Sequence, residues 1–243
     1  MGGQQSCTGC DEYSFSILPK PVKNDKIFTV VLTGGPCAGK TSSLENFTAA
    51  LKARGYDVYA TPEVPTILMA PPGGCVFPGG DPENAEKLIA FETNLMKLQI
   101  QLEETFIGIA ASTGRKSVVV MDRGLMDVQA YLNADQWKSI LEANHMTEDM
   151  MAERYDFALH LCTTAKGVES IYERERANNA ARSEDAAAAR WLDDRILTCY
   201  EAHPNRVISE NSPDTGFKEK LDQCTSALLV ALGEVTAPEE QSR

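Results

Sequence analysis

The chain has 243 residues, of which 43% are hydrophobic and 24% charged, enough for one large α/β domain with a full core. A formal net charge of −12 argues against a nucleic-acid partner, because phosphate backbones select Lys and Arg. The longest apolar runs, such as Ala227–Leu232, are far too short to span a bilayer, and the seven cysteines show no framework spacing, so they read as reduced thiols of a cytoplasmic protein.

The chain opens Met1-Gly2-Gly3-Gln4-Gln5-Ser6, which fits M-G-x-x-x-[ST], the N-myristoylation pattern. Cys7 and Cys10 follow as palmitoylation candidates. One acyl chain holds a membrane only marginally, so a second is the expected companion signal. Acylation at Gly2 and Cys7/Cys10 would anchor the protein at the cytosolic face; the alternative is a plain polar tail. No hydrophobic h-region marks a secretory signal. Residues 1–25 are read as a flexible leader, 26–233 as one P-loop kinase-like domain and 234–243 as a disordered tail.

Residues 27–33 are apolar and β-rich, and predict the first strand. Residues 34–41, Gly-Gly-Pro-Cys-Ala-Gly-Lys-Thr, fit G-x-x-x-x-G-K-[ST], and a helical pattern follows over about 40–54. Strand, glycine loop and helix are the context this phosphate-binding motif requires. Gly34, Gly35, Pro36, Cys37, Ala38 and Gly39 would curl the backbone so that its N–H groups meet phosphate oxygens, with Ser42 in the first helical turn. Lys40 would reach the β and γ phosphates, and the Thr41 hydroxyl would ligate Mg²⁺. ATP or GTP is therefore the expected ligand, with Mg²⁺ as cofactor.

The second strand is predicted at Tyr56–Ala60, ending in Thr61-Pro62-Glu63-Val64-Pro65. Glu63, at a strand end, is a candidate to accept a proton from a substrate hydroxyl. A Gly/Pro-rich loop occupies Pro71–Pro82. Leu88, Phe91, Leu95, Leu98, Leu102 and Phe106 recur at three-and-four spacing and predict a long helix over 83–111. Val118-Val119-Val120-Met121-Asp122 is an apolar strand ending in a carboxylate, the Walker B pattern. Asp122 would orient Mg²⁺ or its waters, and Arg123 would hold a phosphate or a substrate group.

Helices are predicted over 124–151, a fourth strand at Phe157–Cys162, helices over 166–202, a fifth strand at Arg206–Ser209 and a last helix over 214–232. The stretch Tyr172–Glu184 is dense in arginine. Arg182 is the lid candidate that would clamp a transferring phosphate, while Arg174 and Arg176 also suit a solvated helix face. Three isolated histidines and a lone C-x-x-C do not suggest zinc. The repeating β-α order implies an α/β fold: a three-layer P-loop NTPase sandwich with a five-stranded parallel sheet and a helical lid. Ligands belong at the carboxyl ends of its strands.

Taken together, Gly34–Leu44, Pro62-Glu63-Val64-Pro65, Asp122-Arg123-Gly124-Leu125-Met126-Asp127 and the Asn178-to-Glu184 segment resemble the NadR-like P-loop domain. That domain occurs in bacterial nicotinamide riboside kinases and in eukaryotic TRP-channel translocation-defect proteins, which bind GTP. The resemblance covers roughly residues 26–232 and looks closer to the eukaryotic branch. The site also looks similar to deoxynucleoside kinases, whose Glu after strand two and acid-Arg pair after strand three fall on Glu63, Asp122 and Arg123. The eukaryotic relatives carry a C-terminal triphosphate-tunnel domain that is not within this sequence, so the chain is expected to be a standalone version or a part. No Asn-Lys-x-Asp guanine-reading tetrapeptide occurs, which leaves ATP and GTP both open.

Two functions follow. One is a kinase that moves a γ-phosphate to a hydroxyl of a nucleoside-like small molecule, which Glu63 and the arginines favour. The other is a membrane-associated nucleotide switch, which the Gly2 signal and the eukaryotic resemblance favour.

Overall fold

A computed structural model describes residues 25–177 and 185–236. Five strands, β1 (Ile27–Gly34), β2 (Asp57–Thr61), β3 (Ser117–Asp122), β4 (Phe157–Leu161) and β5 (Arg206–Ser209), form one sheet in the order β2-β3-β1-β4-β5. Every pairing is parallel. β1 is central, and its neighbours β3 and β4 bring Asp122 beside Leu32 and Leu161 beside Gly34. The expected α/β sandwich is the architecture observed.

The strands are apolar on both sides because both faces are covered. Val30, Leu32, Val118, Val120, Leu159 and Leu161 point to one face. They meet Phe47 and Leu51 of α1 (Lys40–Lys52) and Leu228 and Leu229 of α8 (Gly216–Ala231). The alternate residues Val31, Val119, Met121 and Ala158 point to the other face. There they meet α3 (Ala85–Thr113), the 3-10 segment Leu125–Tyr131 and α7 (Ala186–Cys199). This period-two sorting converts strand sequence directly into two cores.

Three details differ from the sequence reading. The Pro62–Pro65 strand end continues into a short helix, α2 (Val64–Met69), for which Glu63 is the N-cap residue and Pro65 stands in the first turn, where its missing N–H costs nothing. The helices expected over 124–151 divide into the 3-10 segment, α4 (Ala134–Ala143) and α5 (Glu148–Ala152), with Asn133 and Thr147 accepting side-chain cap bonds at the two α-helix starts. The buried stripe of α3 is also rotated. Phe91, Leu98, Leu102 and Phe106 are only partly buried, whereas Glu92, Gln99 and Glu103 are fully buried beside Leu88, Leu95 and Met96. α6 (Glu169–Ala177) leads to residues 178–184, which lie outside the described part.

A polar chain lies between α3 and the sheet. Glu103 accepts from Arg154 Nε at 2.6 Å, from the Tyr155 hydroxyl at 2.8 Å and from Gln99 Nε2 at 3.1 Å. Gln99 Nε2 also reaches the Arg123 carbonyl at 3.2 Å, so the chain ends on the backbone of a site residue. Breaking a buried pair from one side leaves an uncompensated charge, whereas removing both charges does not. Arg154→Met is expected to lower stability by about 3–5 kcal/mol, and Glu103→Gln added to it to recover most of that loss, as read by urea unfolding.

Candidate functional site

A cavity of about 1000 Å³ opens above the carboxyl ends of β1, β2 and β3. Its wall includes the loop Pro36–Ser42, Glu63, Asp122 and Arg123, so the strand-end residues singled out in the sequence come together. Arg182, Asn178 and Asn179, like Gly2, Cys7 and Cys10, lie outside the described residues. From the flanking helix α6, Ile171 and Arg174 line the cavity.

Gly34 (φ 138°) and Gly39 (φ 95°) hold the turn in left-handed geometry, and a Cβ on Gly34 would sit 2.1 Å from the Leu161 carbonyl oxygen. Cys37 shares that geometry at φ 53°. Each carbonyl of the loop has a donor behind or within it. Lys40 Nζ bonds the carbonyls of Gly34 (2.9 Å) and Gly35 (3.1 Å). Thr163 Oγ1 bonds that of Pro36 (2.5 Å) and Thr164 Oγ1 that of Cys37 (3.0 Å). Lys220 Nζ bonds that of Ala38 (3.0 Å), and Ser43 N that of Gly39 (2.9 Å).

Thr163, Thr164, Lys220 and Asp193 carry no motif and were not singled out as site residues in the sequence. Lys220 is buried and also donates to the Cys162 carbonyl at 2.7 Å and Asn211 Oδ1 at 2.8 Å. Asp193, on α7, is fully buried. Its Oδ1 accepts from Gly35 N at 2.8 Å and Thr163 N at 3.1 Å, and its Oδ2 lies 2.6 Å from Lys166 Nζ. Burial pushes the Asp193 carboxyl up, but His160, Lys166 and the Gly35 amide outweigh it and bring it down to about 2. His160, Cys162 and Asp193 thus gather their ligand-type atoms within 4.8 Å of one another, a grouping that the scattered sequence positions hid. The Lys166 ammonium already supplies the counter-charge there. Phe217, at the start of α8, lies against Gly39 and also lines the cavity.

The charged floor is built from three strand ends. Arg123 sits at φ 67°, with its N–H on the Leu32 carbonyl at 3.0 Å. Its Nε donates to Glu63 Oε1 at 2.5 Å, and its Nη1 lies 3.9 Å from Asp127 Oδ1. Asp127 is itself fixed by Thr33 Oγ1 at 2.6 Å, Gly124 N at 3.0 Å and the Tyr200 hydroxyl at 2.8 Å. Glu63 Oε2 also accepts from Thr66 Oγ1 at 2.6 Å. Burial raises the Glu63 carboxyl, but Arg123, Thr66 and Lys40 together bring it to about 2. The sequence reading leaves Glu63 to orient or to deprotonate an acceptor hydroxyl; its pairing with Arg123 and its low pKa suit the first of these, accepting the hydroxyl's hydrogen bond.

Burial lifts the Asp122 carboxyl, with Lys40 opposing and Glu63 adding. Asp122 Oδ1 is buried and has no hydrogen bond among the described residues. Asp122 and the exposed Thr41 both line the cavity, and a carboxylate with an orphaned oxygen together with a hydroxyl is a donor set that suits a divalent cation or its water shell.

Asp193 and Asp194 separate a buried anchor from a surface pair. Asp193→Ala strands the Gly35 and Thr163 amides, and is expected to cost about 2–5 kcal/mol and to weaken nucleotide binding. Asp194, whose side chain is 67% exposed, is expected to tolerate alanine within about 0.5 kcal/mol. Thermal unfolding with and without Mg-ATP reads both effects.

A family model described as an AAA domain matches residues 29–220. No curated protein matches the chain significantly. Among the described residues no helix is long and apolar enough to cross a membrane. The matched span runs from β1 to α8 and contains the loop, the strand-end charges and the anchors behind them. The chain belongs to the AAA-domain family and is a nucleotide-binding P-loop protein.

Proposed function

We propose that the protein is a phosphotransferase that moves the γ-phosphate of ATP or GTP to a hydroxyl of a nucleoside-like small molecule. The observation that carries this reading is the Glu63–Arg123 pair at 2.5 Å, on the wall of the cavity that also holds the phosphate loop. A switch that only holds its nucleotide needs no arginine-paired carboxylate on the wall of the same cavity. An acceptor hydroxyl does, because Glu63 can take its hydrogen bond and aim its oxygen. The cavity volume lies at the upper end for small-molecule pockets, which gives room for an acceptor beside the donor.

In this mechanism the loop amides and Lys40 hold the triphosphate, and Glu63 positions the acceptor oxygen in line. Arg123 offsets the charge that spreads over the transferring group, and Arg174 on α6 adds a second guanidinium at the cavity wall. Thr41 and Asp122 would hold Mg²⁺, which when bound would neutralise part of the phosphate charge.

The test is nucleoside-diphosphate release from Mg-ATP and Mg-GTP, with and without a pooled nucleoside panel. Lys40→Ala is expected to lower turnover by about 10²–10³-fold or more. Glu63→Gln, which removes the charge that holds Arg123 and the hydroxyl in place, is expected to lower acceptor-dependent release by about 10²-fold while nucleotide still binds. Slow release that ignores every acceptor, together with tight binding of one nucleotide, would replace this proposal with the switch.

Lys40 also gives a pH signature. Burial pushes its ammonium down to about 8, with Arg123 adding to the drop and Asp122, Glu63 and Asp127 opposing it. A bound triphosphate favours the charged form and raises that value. Nucleotide affinity is therefore expected to be level with respect to Lys40 below about pH 8, and to fall by up to about tenfold per unit above it, until the bound-state pKa is passed. Calorimetry at pH 8.5 in two buffers of different ionisation heat should show net proton uptake. Affinity that stays flat to pH 9.5 would count against this role for Lys40.

A further inference from the structure

Among the described residues that donate to the carbonyls of the phosphate loop, Lys220 alone combines a charge with a place from which it cannot touch a ligand. It comes from α8, is 2% exposed and stands outside the cavity wall. Lys40 also bonds loop carbonyls, but it lines the cavity. Thr163, Thr164 and the Ser43 amide donate as neutral groups.

Three oxygens surround the Lys220 Nζ: the Ala38 carbonyl at 3.0 Å, the Cys162 carbonyl at 2.7 Å and Asn211 Oδ1 at 2.8 Å. The Asn211 amide is fixed in that sense, because its Nδ2 donates to the carbonyls of Thr163 at 2.7 Å and Lys166 at 2.9 Å. Three acceptors take three N–H bonds, so the geometry calls for the ammonium; a neutral amine would set its lone pair against one of the oxygens. All three partners are uncharged. Among the described residues no carboxylate lies within ion-pair distance of Lys220, and Asp193 on α7, the one carboxylate in its field, is already taken by Lys166 Nζ at 2.6 Å. The thiols of Cys162 on β4 and Cys224 on α8 are the other titratable groups that act on it. Burial pushes its ammonium down to about 8 against those three opposing groups. A buried cation without an anion is costly, so its retention behind an anion-binding loop calls for the anion.

The Ala38 carbonyl and the Gly39 N–H belong to one peptide unit, and in a trans peptide they point in opposite directions. Lys220 holds the carbonyl end, while the Gly39 N–H has no acceptor among the described residues and Gly39 lines the cavity. A cation on a carbonyl oxygen draws electron density through the peptide and strengthens its N–H as a donor. We infer that Lys220 is a positioning residue for a bound polyphosphate, acting from behind the loop through the Ala38–Gly39 peptide to make the Gly39 N–H a strong anion donor. The inference rests on the phosphate loop and not on transfer to an acceptor. It gives the loop two cations with different tasks: Lys40 on the ligand's side, and Lys220 on the far side of the backbone.

The experiment has two arms, both on the full chain. The first is calorimetry at pH 7 with Mg-ATP and Mg-GTP. Lys220→Gln, which keeps N–H donors and loses the charge, is expected to weaken whichever nucleotide binds by about 10–100-fold. The second follows carbon-13-labelled lysines of the wild-type protein by NMR as pH is raised, so it decides the matter even if the buried variant fails to fold. Lys220 is assigned as the lysine with a midpoint near 8 that persists in Lys40→Ala. A bound polyphosphate favours its charged form and is expected to raise that midpoint by about one pH unit. A lysine that only braced the loop would keep its midpoint when nucleotide is added. The inference is overturned if no low-titrating lysine persists in Lys40→Ala, if Mg-nucleotide leaves the Lys220 midpoint in place, or if Lys220→Gln binds within about threefold of wild type. Phosphate transfer to an acceptor, present or absent, changes none of these outcomes, so this inference and the phosphotransferase reading fail separately.

Discussion

The site depends on how the loop between β1 and α1 disposes of its carbonyls. A tight turn that aims its amides inward must turn its carbonyls elsewhere, and buried carbonyls need donors. From Gly34 to Gly39 each carbonyl has one, supplied by Lys40, Thr163, Thr164, Lys220 and Ser43. The donors behind the loop hold its turn in place, and Lys40, which bonds two of the carbonyls, is the one donor that would have to leave them to reach a bound polyanion. Asp193 takes one of those amides, Gly35 N, and so ties the first turn of the loop to α7. Because α7 starts at Ala186 and Lys166 follows β4, the phosphate loop is linked through Asp193 to the segments on both sides of residues 178–184.

The second feature of the site is a compensated cluster of charge. Lys40 and Arg123 are cations, and Glu63, Asp122 and Asp127 are carboxylates, all at strand ends or just beyond them. Each would be expensive to bury alone, and the opposite charges around it offset part of that cost. The left-handed backbone at Arg123 is retained because its surroundings over-determine it. Its N–H bonds Leu32, its carbonyl accepts from Gln99, and its side chain lies between Glu63 and Asp127. The Glu103–Arg154 chain under α3 thus supports a catalytic candidate it never touches by side chain.

Much of this was legible in the sequence, because the strong signals are local. The β-α alternation gave the sheet and the strand ends, since a buried parallel strand reads as a short apolar run. The glycine loop, Glu63, Asp122 and Arg123 each stood beside such a run. The anchors were not legible, because their meaning is set by chain distance: Gly35 and Asp193 are 158 positions apart, and Ala38 and Lys220 are 182 apart. No short spacing rule connects them. On α3 the periodicity itself misled. Leu98, Leu102 and Phe106 lie on the flank of the buried face, and the polar Glu92, Gln99 and Glu103 occupy its centre. Hydropathy discounts such residues at the very positions where a site-facing helix uses them.

The low pKa of Glu63 narrows the chemistry further. A carboxylate held near 2 by Arg123 and Lys40 is a weak base, so in the proposed transfer it would leave the hydroxyl proton in place until the phosphate moves. Phosphoryl transfer through a loose transition state does not demand that it should. Little bond formation to the attacking oxygen has occurred when the leaving bond is largely broken, so the hydroxyl proton becomes acidic only late. What the proposed transfer needs early is aim, and an ionised Glu63 would supply it by accepting the hydroxyl's hydrogen bond from a fixed direction. The same ion pair would keep Arg123 beside the path of the transferring group. A glutamate of higher pKa would be the better base when ionised, but it would hold Arg123 less firmly, and the proposed transfer relies on that guanidinium to offset the charge of its transition state.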